Sequence, residues 1–138
     1  MKIGKYEMPD ELYYHKEHSW ARVKEKIIIV GVDDFAQKLA GEIVYVDLPY
    51  EGDEVVQNKP FATIESGKWV GKIYAPVSGE VVEVNEEVDD DASIINEDPY
   101  GKGWVVKIKP NNLDELNNLM KGERVEEWIK KEIEKHEK

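Results

Sequence analysis

No cysteine occurs anywhere in the 138 residues. That excludes disulfides, thiolate metal sites and cysteine nucleophiles, so any redox chemistry has to come from an attached group. Long apolar runs are missing too. None approaches membrane-spanning length, and Met1-Lys2-Ile3-Gly4-Lys5-Tyr6 lacks the apolar core of a signal peptide. A cytoplasmic protein is the expectation. Positive charge is scarce, with 19 Lys and Arg against 30 Asp and Glu and a formal net charge of −11. Such an acid excess repels nucleic-acid phosphate and anionic membrane surfaces, so neither is an expected partner. No G-x-S-x-G, P-loop or dinucleotide fingerprint is present. His15 and His18 have no third ligand at sensible spacing, and Asp89-Asp90-Asp91 lacks the spaced oxygens and central glycine of a calcium loop. No metal is expected.

What is present is mostly β pattern. The chain is long enough for one domain with a real core. Residues Met1 to Glu17 read as a wrapping arm and an edge strand. Trp20-Ala21-Arg22-Val23-Lys24 alternates apolar and polar residues, and Ile27 to Val32 returns as a β-branched strand, so the two make a hairpin. Asp33 caps a short helix, Asp34 to Ala40, which Gly41 ends. Strands follow at Ile43–Leu48, Glu54–Val56, Phe61–Ile64, Ile73–Pro76, Glu80–Asn85 and Trp104–Ile108. One helical turn capped by Asp91 lies between the last two. A weak repeat aligns Gly41-Glu42-Ile43-Val44-Tyr45-Val46-Asp47 with Gly79-Glu80-Val81-Val82-Glu83-Val84-Asn85, an offset of 38 residues. Two similar strand sets imply a two-sheet sandwich or flattened barrel of quasi-twofold character. The C-terminal third is helical. Leu113, Leu116 and Leu119 form one stripe and Val125, Trp128, Ile129 and Ile133 another, and these stripes are expected to cover the sandwich.

Between the repeat copies lies Ile64-Glu65-Ser66-Gly67-Lys68-Trp69-Val70-Gly71-Lys72-Ile73, a tight reversal between two strands. A hairpin tip lifts one side chain clear of the body. If that side chain is Lys68, its primary amine is available for covalent attachment of a carrier group. Three of the four tryptophans, Trp20, Trp104 and Trp128, fall on strands or on the helix stripe and are expected in the core. Trp69 stands at the tip, where an exposed ring is costly unless it packs down or meets a partner.

From about Tyr14 to the final helix the chain resembles the glycine cleavage system H protein family. The resemblance is carried by His15-Lys16-Glu17-His18 with Trp20, Val30-Gly31-Val32 with Phe35-Ala36-Gln37, and Gly41 to Pro49. It continues through Gly52-Asp53-Glu54-Val55, Glu65-Ser66, Tyr74 to Asn85, Asn96-Glu97-Asp98-Pro99-Tyr100-Gly101 and Gly103-Trp104. It implies a mainly β fold with C-terminal helices, the barrel-sandwich hybrid of lipoyl and biotinyl domains. A single lipoyl-carrier domain would span 1–138, with about 14–110 as sandwich and 111–138 as helical cover. The family's modified lysine, two residues after the Glu-Ser pair, falls on Lys68, which would carry lipoate. Glu65, Ser66, Gly67, Trp69 and Gly71 would be read by enzymes at the tip.

Those enzymes would be a lipoate ligase or octanoyl/lipoyl transferase and the glycine cleavage P, T and L proteins. The chain itself would be a non-catalytic carrier, shuttling an aminomethyl group between glycine decarboxylase and the tetrahydrofolate-dependent aminomethyltransferase. The tip departs from the usual Glu-Ser-Val-Lys-Ala-Ala-Ser-Asp: Trp69 replaces a small residue, Lys72 replaces an acid, and Ser19 follows His18 in place of an acid. The tip, with Gly67, Trp69 and Gly71, resembles the H-like lipoate-binding proteins of a heterodisulfide-reductase-like sulfur oxidation system, whose arm would carry sulfur species. An unmodified acidic interaction protein is the third reading.

Overall fold

Alternation in the strands determines where the cores lie. The chain opens with a small hairpin, β1 (Lys2–Ile3) and β2 (Tyr6–Glu7), turned by Gly4 at positive φ. Then come β3 (Tyr13–Tyr14), β4 (Ser19–Lys24) and β5 (Ile27–Val32). Helix α1 (Asp34–Ala40) leads to β6 (Ile43–Asp47), β7 (Glu54–Val55), β8 (Pro60–Ser66), β9 (Val70–Tyr74) and β10 (Gly79–Val84). Two short helices, α2 (Glu86–Asp90) and α3 (Ile94–Glu97), precede β11 (Val106–Pro110). A 3-10 segment, Leu113–Asn118, and helix α4 (Glu123–His136) finish the described chain. The computed structural model describes residues 1–136, so positions 137 and 138 of the expected helical cover lie outside it.

Six strands form one sheet in the order β3-β4-β5-β11-β10-β7, and three form a second in the order β6-β8-β9. Successive side chains of a strand point to opposite faces. Ala21, Ile28, Val30, Val32, Val81, Val106 and Ile108 of the first sheet therefore join Ile43, Val46, Ala62, Ile64 and Ile73 of the second in one core. Trp20 and Ile29 face the other way. They enter a second cluster with Ile3, Tyr6, Met8, Leu12, Phe35, Val125 and Ile129. Trp20 lies flat on Gly31, its register partner, where a Cβ would meet the indole at 2.5 Å.

The repeat is visible in the geometry. Both β6 and β10 carry an irregularity in their antiparallel pairing, between Ile43 and Tyr45 in one and between Val81 and Glu83 in the other. The extra residues, Val44 and Val82, are again 38 apart. A bulge leaves the inserted residue unpaired and turns it outward, and Val44 and Val82 are both exposed.

Three expected details need correction. Trp104 precedes β11 and packs half-buried on the second cluster, with Lys107 over its ring. Asp91 does not cap a helix start. Asn85 does so for α2, its side chain accepting from the Glu87 amide, and the acidic residues that follow suit a helix N-terminus; Asp91 ends α2 and binds Ser93 instead. The leucine segment is 3-10, not α, and ends at Asn118, because Met120 pairs with Tyr14 at the edge of the large sheet. Leu116 and Leu119 are buried as the stripe requires, whereas Leu113 is exposed.

One polar cluster ties these pieces together. The His18 ring is stacked between Phe35 and Trp128, with centroids 4.8 and 4.6 Å away. Its Nδ1 donates to Asp33 Oδ2 at 2.8 Å and its Nε2 to Glu132 Oε1 at 2.7 Å. Asp33 is fully buried and also caps α1 by accepting from the Ala36 amide. Burial alone would lower the His18 pKa, but the Asp33 and Glu132 carboxylates outweigh it and raise it to about 9. His18 is therefore an imidazolium at neutral pH, joining β4, the cap of α1 and the last turns of α4.

A raised folded-state pKa contributes stability that is complete below the unfolded value of 6.5 and is lost as pH climbs through about 9. A shift of this size corresponds to ~3 kcal/mol. Chemical denaturation at a series of pH values is expected to show stability falling between pH 6.5 and 9. In His18→Gln that decline should flatten, with lower stability already at pH 6 to 7.

Candidate functional site

The β8–β9 hairpin projects Lys68 at its turn. Glu65 pairs with Val70, and Ile64 with Gly71. The Ser66 amide donates to Trp69 O at 2.8 Å, and the Lys68 amide donates to Ser66 Oγ at 3.3 Å. Ser66 thus closes the turn with both its backbone and its hydroxyl, leaving Gly67 and Lys68 as the two residues of the loop. Gly67 is not needed for backbone reasons. Its φ is not positive, and a Cβ there would meet nothing within 4 Å. What it provides is an unobstructed flank beside Lys68.

The two side chains at the tip diverge, and each lies on a glycine. A Cβ at Gly71 would meet the Trp69 ring at 2.0 to 2.6 Å, so the indole is seated on that glycine and is only 36% exposed. This is the packing-down that an apolar ring at a turn requires, and it accounts for Trp69 and Gly71 together. Lys68 runs the other way. Its Cε is 3.2 Å, and its Nζ 3.8 Å, from where a Cβ of Gly41 would stand. Gly41 caps α1 at φ 83, and Ile43 is the register partner of Ser66, which brings the Gly41 segment alongside the tip. Gly41 reads from sequence only as a helix stop. Its second role becomes visible only through the β6–β8 register. Among the described residues Lys68 makes no ion pair.

Beyond Trp69 a cleft of about 660 Å³ is walled by Val70, Gly71 and Tyr74 on the hairpin, by Ala36 and Leu39 on α1, and by Trp128 and Glu132 on α4. His18 lies at its base, and Lys16, Lys72 and Lys135 stand on its lining. The second histidine of the His-Lys-Glu-His run takes a left-handed turn at φ 75, which sends the two rings to different neighbours. His15 stacks on Tyr74 and bonds Asn58 at 2.7 Å, and burial lowers its pKa. It anchors the base of the hairpin as a neutral ring. Of the residues expected at the tip, Ser66, Gly67, Lys68, Trp69 and Gly71 fall together, and Glu65 stands half-buried one step back beside Tyr45 of β6.

The family model for glycine cleavage H-protein matches residues 12–132. The chain belongs to that family. It is 51% identical over 132 residues to the probable glycine cleavage system H protein of Pyrococcus abyssi, covering 94% of this chain and 98% of that one. It is 48% identical over 121 residues to the glycine cleavage system H protein of Geobacillus kaustophilus, covering 88% and 95%. The crystal structure of a glycine cleavage system H protein from Mycobacterium marinum superposes with a TM-score of 0.73 at 30% identity, covering 80% of this chain and 97% of that one. The fold is thus the lipoyl-type barrel-sandwich hybrid with its C-terminal helix. None of these relatives favours the sulfur-carrier reading or the unmodified-protein reading.

The seating of Trp69 can be tested by fluorescence, taking the difference from Trp69→Phe to isolate its emission. Gly71→Ala should shift the Trp69 contribution to the red and make it easier to quench with acrylamide, because the ring must leave its notch. Gly67→Ala should leave the spectrum unchanged. The assignment fails if the two variants behave alike.

Proposed function

We propose that this protein is the cytoplasmic lipoyl carrier of a glycine cleavage system and that the lipoyl group is carried on Lys68. The observation that carries the reading is the position of Lys68. It is the exposed second residue of the hairpin loop, two residues after Glu65-Ser66, in a chain of the H-protein family. The surroundings fit the attached group. The amine is free of ion pairs among the described residues, the Gly67 flank is open to a modifying enzyme, and Ser66 fixes the loop that presents it.

Acylation by a lipoate ligase or octanoyl/lipoyl transferase would turn the ammonium into an amide and remove its charge. Once bound, the lipoyl group supplies a dithiolane whose disulfide can take up the aminomethyl group from glycine decarboxylation, pass it to the tetrahydrofolate-dependent transferase and be reoxidised by the dehydrogenase. The chain's own part is positional. The paired strands β8 and β9 hold the attachment point rigidly, and tethering gives the arm a high effective concentration at each visited site. Glu65, Ser66, Gly67, Trp69 and Gly71 are the surface an enzyme meets around that lysine. No side chain here is assigned a bond-breaking role.

Glycine decarboxylation reconstituted with cognate P, T and L proteins should proceed with the lipoylated protein and drop to the carrier-free level with Lys68→Arg. Lys72→Arg should retain activity, since that lysine lies within β9. Activity in Lys68→Arg, or its loss only in Lys72→Arg, would move the attachment point off Lys68.

A further inference from the structure

A second surface stands out on the other side of β6. Two adjoining hollows of about 610 and 400 Å³ share Glu51, Val84 and Glu86 and so form one groove. It runs between the Leu48–Glu51 turn on one side and β10 with α2 on the other. Its apolar lining is unusually open: Tyr50 is 80% exposed, Tyr45 54% and Val82 37%. The β10 bulge contributes Val82, its extra residue, and Tyr45 follows the extra residue of the β6 bulge. Exposed tyrosines beside aliphatic side chains mark interaction sites more often than bare solvent-facing surface.

The rim is acidic. Asp47, Glu51, Glu86, Glu87 and Asp89 line the groove without an ion-pair partner among the described residues, and Glu83 is paired with Lys107 at 3.2 Å. Lys102 is the one cation on the lining among the described residues. The groove also begins close to the lysine hairpin. Tyr45 is the register partner of Glu65, three residues before Lys68.

We propose that this groove docks the enzymes that act on the Lys68 arm, through a partner surface in which an apolar side chain is flanked by lysine and arginine. The proposal rests on the carrier reading above. Charge complementarity selects the occupant: an acid-rimmed apolar trough accepts a basic protein face and rejects phosphate backbones and anionic lipid. Rim charges of this kind steer encounter without making a complex long-lived, which suits a carrier that has to leave each enzyme after transfer. The exposed tyrosines supply the anchoring contact.

The test uses the full-length lipoylated protein as substrate for the cognate glycine decarboxylase and aminomethyltransferase. For Glu51→Lys/Glu86→Lys and for Tyr50→Ser, KM for the carrier is expected to rise about tenfold with at least one enzyme while kcat holds. The wild-type KM should rise with salt, and that of the charge-reversed protein should not. Glu127→Lys/Glu134→Lys on the exposed side of α4 makes the same change in net charge away from the groove and is its control. Unchanged KM with both enzymes, or an equal rise in Glu127→Lys/Glu134→Lys, overturns the groove. Intact mass confirms equal lipoylation of every variant. Should the wild type not be acylated, the carrier reading fails, and calorimetric binding of the two enzymes to the unmodified proteins still decides the groove by the same comparison.

Discussion

The imidazolium of His18 is the constraint on which the arrangement of this molecule depends. It is held between two aromatic faces and two carboxylates that come from distant parts of the chain, Asp33 at the cap of α1 and Glu132 near the end of α4. Removing one carboxylate would leave a buried charge half compensated, which costs far more than the loss of a surface ion pair. Glu132 is also a polar contact by which α4 reaches the body. The rest of that helix is held by Val125, Ile129 and the half-buried Trp128 and Ile133. One protonated ring thus fixes α1, β4 and α4 together, and it lies at the base of the cleft beside the lysine hairpin.

In the proposed carrier role, that rigidity would let a two-residue loop work as a presentation device. A long flexible arm gains effective concentration only when its root is fixed. The root here is set by register: β8 is paired on both sides, with β6 and β9. The two glycine contacts then sort the tip. Trp69 occupies the notch of Gly71 on one flank and Lys68 lies against Gly41 on the other. Trp69, which departs from the usual family pattern at this tip, therefore forms a packed unit with Gly71, whose missing side chain accommodates its bulk.

Much of this was legible in the residues because local rules and tertiary packing agree. The Trp20–Lys24 and Ile27–Val32 hairpin, the Asp33-capped helix ended by Gly41, and the reversal at Gly67-Lys68 all follow from alternation, capping and turn chemistry. The 38-residue offset of the repeat extends to the bulges, which recur at that spacing. What could not be read depended on contacts between segments far apart in sequence. His18 reads from sequence only as one of two histidines without a third ligand, because nothing local announces Glu132 as its partner, 114 residues away. Trp104 alternates with the strand that follows, yet its backbone leaves the ladder before Val106. The leucine spacing from Leu113 to Leu119 suits a 3-10 turn as well as an α-helix, and the pairing of Met120 with Tyr14 decided the outcome.

A strongly acidic, cysteine-free chain with an amine presented at a hairpin tip fits the proposed carrier role, in which an attached group would supply the redox capacity and the protein placement and recognition. The attachment itself is open to direct measurement. Intact-mass measurement after co-expression with lipoylation enzymes, followed by fragmentation of the peptide spanning Glu65 to Lys72, addresses it in one experiment. The account predicts a single lipoyl increment localised to Lys68. An unmodified chain, or an increment on Lys72 or any other lysine, would contradict it.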